Sequence, residues 1–232
     1  FVFTTDHGTA MPRAKCTCYD PGTKTALIVR QPGRWDDGSV HDELLTNCDM
    51  FPTLAEITGT GTPEDIDGRS FLGLLDGTAY EPRDHIFTEM TYHGLYNPMR
   101  CIRTNRYKYI RNFDDQLPLV HMPVDILEWP SGAAMIEDYY SEYRPTEEFY
   151  DLAADPLEQN NLIDDETHSG TAEELRERLY SWMEETGDAM LDGVYPSCPD
   201  HTEAMTNWRE RDRYAPFRHL ETPGQVRFLQ DE

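Results

Sequence analysis

Phe1-Val2-Phe3-Thr4-Thr5-Asp6-His7-Gly8 opens the chain as an apolar, β-branched run that breaks into polar residues at its end. A short buried strand with ligand-bearing side chains at its carboxyl edge is how parallel α/β sheets present a site. Ala26-Leu27-Ile28-Val29, closed by Gln31-Pro32-Gly33, reads as a second strand of this kind. Residues 49–59 predict a helix, with acidic Asp49 as cap, Pro52 in the first turn and Gly59 at the stop. Residues 68–75 follow as a short apolar turn or helix.

After about residue 84 the pattern changes. Residues 85–92, 99–103, 106–112 and 147–152 read as strands, separated by turn signals such as Tyr96-Asn97-Pro98 and Thr104-Asn105. Consecutive strands with short links predict an antiparallel sheet. Residues 172–186 give the clearest helix, with Leu175, Leu179, Trp182 and Met183 at helical spacing as a core-packing stripe. The fold expected is α/β: residues 1–84 as the C-terminal part of a parallel-sheet domain, then residues 85–232 as a smaller α+β subdomain with an antiparallel sheet and a helical tail. Residues 200–232, rich in Arg, Glu and aromatics, fit no predicted element.

Charge is the strongest bulk signal. Among 232 residues, 44 are acidic and 20 basic, a net charge of -24, and only Lys15, Lys24 and Lys108 are lysines. An acidic, lysine-poor surface suits a salt-adapted protein, whose self-repulsion is screened; an ordinary acidic protein is the alternative. Without a basic stripe, nucleic acid is excluded as a partner. No apolar run reaches the ~20 residues that span a bilayer, so no membrane association is expected. Hydrophobic content of 38% and aromatic content of 11% favour a packed core over disorder. The five cysteines, Cys16, Cys18, Cys48, Cys101 and Cys198, are odd in number and irregularly spaced. They make neither a disulfide framework nor a zinc site, and read as small buried hydrophobes.

Asp6-His7-Gly8 at a strand end is either a hydrogen-bonded pair or a pair of metal ligands. Lys15, soon after it, favours the second reading. A hard cation held by a carboxylate and an imidazole, with an ammonium nearby, makes a pocket for a tetrahedral oxyanion. Tyr139, Tyr140, Tyr143 and Tyr150 either stack on a sugar or pack half-buried.

The order of segments resembles the C-terminal half of the sulfatases, within the alkaline-phosphatase-like superfamily. The resemblance rests on Thr5-Asp6-His7-Gly8, Lys15, Tyr19-Asp20-Pro21-Gly22, residues 27–33 and Asp49-Met50-Phe51-Pro52-Thr53-Leu54. It continues through Asp67-Gly68-Arg69-Ser70-Phe71, residues 103–110, Glu148-Phe149-Tyr150-Asp151-Leu152, Asp155-Pro156-Leu157-Glu158 and Asn161-Leu162. Residues 11–22, Tyr96-Asn97-Pro98-Met99-Arg100 and residues 106–113 look most like the heparan N-sulfatase (sulfamidase) branch.

The resemblance implies that Asp6 is a calcium ligand, that His7 stands at a second metal position, and that Lys15 contacts the sulfate. Lys24 falls where many members have an arginine with a supporting role. The family's formylglycine nucleophile, made from a cysteine followed by x-Pro-x-Arg, matches no cysteine here and is expected in an N-terminal half that precedes this chain. The implied activity is metal-assisted hydrolysis of sulfate esters or N-sulfated sugars, with this chain silent by itself. Glu89, His93 and Arg100, flanking the Tyr-Asn-Pro-Met turn, are read either as substrate contacts or as solvated loop residues. A phosphodiesterase or phosphonate monoester hydrolase of the same superfamily, or a noncatalytic binding remnant, are the alternatives. The partner expected is a sulfated small molecule or glycan. Homo-oligomerisation stays open, as does the compartment, between export and the cytoplasm of a salt-adapted prokaryote.

Overall fold

Period-two alternation between residues 85 and 151 builds the main sheet. In the computed structural model, residues 1–193 are described except 36, 37, 94, 95, 116 and 128. Residues 200–232 and Cys198 lie outside the described residues. The chain divides into two compact units, one comprising residues 1–6, 25–86 and 103–105, the other residues 7–24, 87–102 and 106 onward. The segment His7–Lys24 belongs to the second unit.

In the first unit, β1 (Val2–Thr4) pairs with β2 (Leu27–Val29), with Phe3 opposite Ile28. This pairing is antiparallel, which corrects the parallel arrangement expected for the opening strands. Parallel strands need a crossover connection that packs back on their own sheet, usually a helix. Here the connection holds only the one-turn helix α1 (Asp20–Thr23), and most of it folds with the other unit. Nor are these strands buried: Phe1, Phe3 and Ile28 are 78%, 47% and 56% exposed.

Helix α2 (Met50–Thr58) forms and stops at Gly59 as predicted, but Asp49 makes no side-chain cap bond to it, and α3 (Leu72–Leu75) follows. Buried Asp49 joins these pieces. Its carboxylate accepts the backbone N–H groups of Thr46 (2.9 Å) and Arg69 (2.7 Å) and pairs with Arg83. Thr53 Oγ1 donates to the Asp49 carbonyl at 2.6 Å and accepts from Phe71 N at 3.0 Å. The Asp49–Leu54 and Asp67–Phe71 motifs are therefore two sides of one buried joint.

The strands β3 (His85–Tyr92), β4 (Tyr96–Thr104), β5 (Tyr107–Asn112) and β6 (Glu147–Asp151), which lie in the second unit but for residues 85, 86, 103 and 104, form a sheet in that order. β5 and β6 are antiparallel, with Tyr109 opposite Phe149 and Ile110 opposite Glu148. Alternation divides the side chains between two faces. Ile102, Tyr109 and Phe149 meet Leu175, Leu179 and Met183 of α7 (Ser169–Thr186), the predicted helix stripe. Met99, Cys101, Ile110 and Tyr150 take the opposite face and pack on Cys18 and Tyr19. The sheet thus has a helix on one side and the segment from residue 7 to 24 on the other.

Residues 113–146, between β5 and β6, carry three short helices that the sequence reading did not place: α4 (Val124–Leu127), α5 (Pro130–Ala134) and α6 (Ile136–Tyr140). They enclose a small core of Val120, Met122, Ile126, Leu127 and Ile136. A bridge between Pro118 and Tyr143 closes the base of this excursion. Among the described residues no helix is long and apolar enough to cross a membrane.

Candidate functional site

Segment 7–24 has little regular structure of its own, so its shape depends on what holds it. Gly8 N donates to Gly22 O and Thr9 N to Pro21 O, both at 2.8 Å, closing the segment into a loop. A Cβ on Gly8 would lie 2.1 Å from Pro21 O, and one on Gly22 2.0 Å from Ala14 O, so only glycine permits these approaches. Arg13 and Cys16 adopt positive φ angles of 57° and 66°, a region that residues bearing a Cβ enter only when their surroundings hold them there.

Those surroundings come from the sheet. Lys108 on β5 is 1% exposed and pairs with Asp20 (2.6 Å) and Glu158 (2.7 Å), while its ammonium also donates to Cys18 O at 3.1 Å. Glu158 accepts Asp20 N at 2.7 Å. Glu148 on β6 accepts the hydroxyls of Tyr19 (2.7 Å) and Tyr150 (2.5 Å) and the amide of Asn112 (2.6 Å). Burial, with the Glu148 charge beside them, pushes both tyrosine hydroxyls well above their usual range, so they stay protonated and donate. Arg13 lies over the Tyr19 ring at 3.8 Å and donates to the carbonyls of Leu157 and Glu158. The Glu148–Leu152 and Asp155–Glu158 motifs are thus the underside of the loop, and Tyr150 is a packing residue rather than a sugar platform.

Lys15 stands on this loop with its side chain 18% exposed, and its ammonium pairs with Asp125 of α4. Asp125 was not singled out from sequence, because nothing local marks an aspartate in a one-turn helix as the partner of a lysine so distant in the chain. Cys16 Sγ is 3.5 Å from His93 Nδ1. Burial raises the Cys16 thiol to about 11, against the opposing effect of Lys15, and raises Cys18 likewise to about 11. Burial pushes Cys101 up as well. These three thiols are therefore un-ionised near neutral pH and unsuited to nucleophilic attack.

Asp6 is exposed at the end of the first unit's opening segment, and its carbonyl accepts from Asn47 Nδ2 at 3.2 Å. His7 Nδ1 lies 2.9 Å from Gly8 O. A carbonyl only accepts, so this bond puts the proton on Nδ1 and leaves Nε2 as the basic nitrogen, the form in which histidine binds metals. Each residue fits as a donor to a hard cation. Among the described residues no group of three or more His, Cys, Asp or Glu converges, so these two account for only part of the 6–8 ligands calcium takes.

Of the remaining sequence candidates, Glu89 and Arg100 lie together, with Arg100 Nε 3.4 Å from Glu89 Oε2. Glu89 and His93 are exposed. Arg100 is not a solvated loop residue: it is 4% exposed on β4. Its guanidinium holds Asp188 (2.5 and 3.0 Å) and the carbonyls of Met90 (2.9 Å) and Met99 (2.8 Å). A fork so occupied joins the chain after α7 to the sheet. Arg144, which the sequence reading missed, is also buried, at 4% exposure, and burial lowers it to about 10.

Residues 13–126 match the family described as N-sulphoglucosamine sulphohydrolase, C-terminal. Among curated proteins, an ulvan-active sulfatase of Formosa agariphila is 33% identical over 205 residues, covering 84% of this chain and 39% of that protein. The chain therefore spans about two fifths of that relative's length. Among solved structures, a 2-O GAG sulfatase superimposes with a TM-score of 0.63 at 24% identity, covering 86% of this chain and 39% of the other. A protein solved in complex with its substrate D-glucosamine-2-N,6-O-disulfate gives 0.60 at 22% identity, covering 81% and 34%. These two likenesses establish the fold.

Proposed function

This chain belongs to the sulfatase family, matching the C-terminal part of its members, and we propose that it contributes the anion-binding side of a site that hydrolyses sulfated sugars. The observation that carries this reading is the loop from Arg13 to Asp20. It holds a partly exposed ammonium, Lys15, on a backbone kept in place by buried ion pairs and carboxylate–tyrosine bonds. Such a preorganised cation stabilises charge on sulfuryl oxygens without reorganising during the reaction. Sulfate esters and N-sulfated sugars are the substrate class, supported by the family match and by the disulfated glucosamine bound in a protein of the same fold.

Asp6 and His7 are the donors we assign to a divalent metal, calcium in the first instance. Bound there, the ion would supply a fixed positive charge toward the sulfuryl group. Asp6 offers a carboxylate, and His7 offers Nε2 because Gly8 O holds its other nitrogen protonated. Lys15 gives an ammonium, paired with Asp125. The nucleophile, a formylglycine by family resemblance, is not assigned to any residue of this chain.

The test is hydrolysis of p-nitrophenyl sulfate and N-sulfoglucosamine by the full-length protein, with Lys15→Met and Asp6→Ala beside it. Loss of one charge-assisted contact, about 1.5–3 kcal/mol, lowers kcat/KM by about 10- to 150-fold in Lys15→Met with the fold intact. Asp6→Ala weakens calcium affinity more than Lys15→Met does. Unchanged kcat/KM in Lys15→Met, or the reverse order of calcium affinities, refutes the assignment. Turnover of phosphonate or phosphodiester substrates in preference to sulfates favours the hydrolases of the same superfamily instead.

A further inference from the structure

The Tyr96-Asn97-Pro98-Met99-Arg100 stretch, expected to be a turn and found as the start of β4, has a role that the proposed function leaves open. Asn97, on β4, is 1% exposed and reaches the loop directly behind Lys15, where its Nδ2 donates to the carbonyl of Cys16 at 2.8 Å. Its Oδ1 accepts from Arg144 Nη1. A guanidinium only donates and a carbonyl only accepts, so the two neighbours settle which end of the amide faces which. Cys16 is the residue held at φ 66°, where a Cβ is strained.

Arg144 is itself buried, and its other bonds go to neutral oxygens, Asp114 O at 2.7 Å and Pro98 O at 3.3 Å. A buried cation bonded in this way is poorly explained by stability alone, because an apolar side chain of similar volume often serves a core better. Its fork does something an apolar group cannot: it fixes the Asn97 amide, which in turn fixes the backbone one residue beyond Lys15.

We propose that Asn97 is a positioning residue for Lys15, oriented by Arg144, and that it holds the strained Cys16 backbone so that the Lys15 ammonium meets a sulfate oxyanion. This deepens the reading of Lys15 given above and rests on it. The chain of bonds runs Arg144 to Asn97 to Cys16 O, and Lys15 is carried by that turn. Once the Asn97 bond is lost, Cys16 has less reason to stay at positive φ, and the ammonium loses its fixed direction.

The experiment titrates the full-length protein with inorganic sulfate by calorimetry, comparing Asn97→Asp, Lys15→Met and the double variant. Asn97→Asp keeps the size and gives Arg144 a carboxylate, so the interior stays paired, but it turns an acceptor toward the Cys16 carbonyl. The expected result is a sulfate Kd raised about tenfold in Asn97→Asp, the equivalent of one hydrogen bond. In the Lys15→Met background the same change has no further effect, because the group being positioned is gone. Simple repulsion of sulfate by the new carboxylate would persist in that background, so an additive double variant overturns the proposal. A wild-type Kd in folded Asn97→Asp overturns it too. Should Asn97→Asp not fold by near-UV circular dichroism, Arg144→Lys, which keeps the charge and loses the fork, carries the same cycle with the same outcomes. Unchanged sulfate binding in Lys15→Met brings down the reading of Lys15 itself. A loss there without any loss in Asn97→Asp removes only the positioning role.

Discussion

Lys108→Met removes the cation beneath the loop and leaves two carboxylates facing one another. Lys108 is 1% exposed and the side chains of Glu158 and Asp20 are 0% and 14% exposed, so neither acid can recover full hydration by a small movement. Breaking a buried pair by deleting one partner costs about 3–5 kcal/mol. For a chain of this size each kcal/mol is worth about 2–4 °C, so Tm falls by about 6 to 20 °C. The sign of the pH dependence follows from Glu158. Burial raises its carboxyl, opposed chiefly by Lys108, and the variant loses that opposition. A group raised on folding stabilises below its unfolded pKa and loses that contribution as pH rises through the folded value. The deficit of Lys108→Met is therefore largest at neutral pH and shrinks toward pH ~4, the ordinary glutamate range. Glu158→Gln in the Lys108→Met background recovers part of the loss at neutral pH. Urea melts at a series of pH values measure all of this. A deficit below about 1 kcal/mol, or one that grows as pH falls, refutes the view that Lys108 neutralises a buried acid pair.

Two further outcomes follow from other ion pairs. Burial would raise Asp188, but the hydrogen bonds from Arg100 and Met190 N outweigh it and hold the carboxyl below its usual range. Its stabilising contribution is thus present above the unfolded aspartate range and is lost as pH falls through the folded value. Thermal melts of Asp188→Asn run below wild type at neutral pH and converge with it in acid; parallel curves contradict the pairing. Asp125→Asn removes the carboxylate beside Lys15 and raises sulfate affinity by up to about fivefold at low salt, a gain that Lys15→Met abolishes. Sulfate titration at two ionic strengths reads it, and an unaltered Kd would mean that Asp125 does not compete for the ammonium.

Much of the scaffold was legible in the order of residues. Helices α2 and α7 lie where the Gly59 stop and the Leu175, Leu179, Met183 spacing put them, because both signals are local and act within a few turns. The strands after residue 84 were legible for the same reason, since alternation needs only neighbours. The opening strands were not. Phe1 to Thr5 has the composition of a buried parallel strand, yet pairing direction depends on the path of the connection, which no property of the strand itself encodes.

The site divides along the same line. The sequence alone carried the sulfatase order of motifs, and it offered Asp6, His7 and Lys15 as the candidates for its chemistry. Only the tertiary structure decided what surrounds them. It turned Arg100 from a loop residue into the partner of Asp188, brought Asp125 to Lys15, and placed Lys108, Glu148, Asn97 and Arg144 beneath the loop. Ion pairs and hydrogen bonds between residues 47 to 129 positions apart leave no local periodicity. They exist because the sheet brings alternate side chains of three strands against one irregular segment, where burial makes an unpaired charge costly and favours the ion pairs found there.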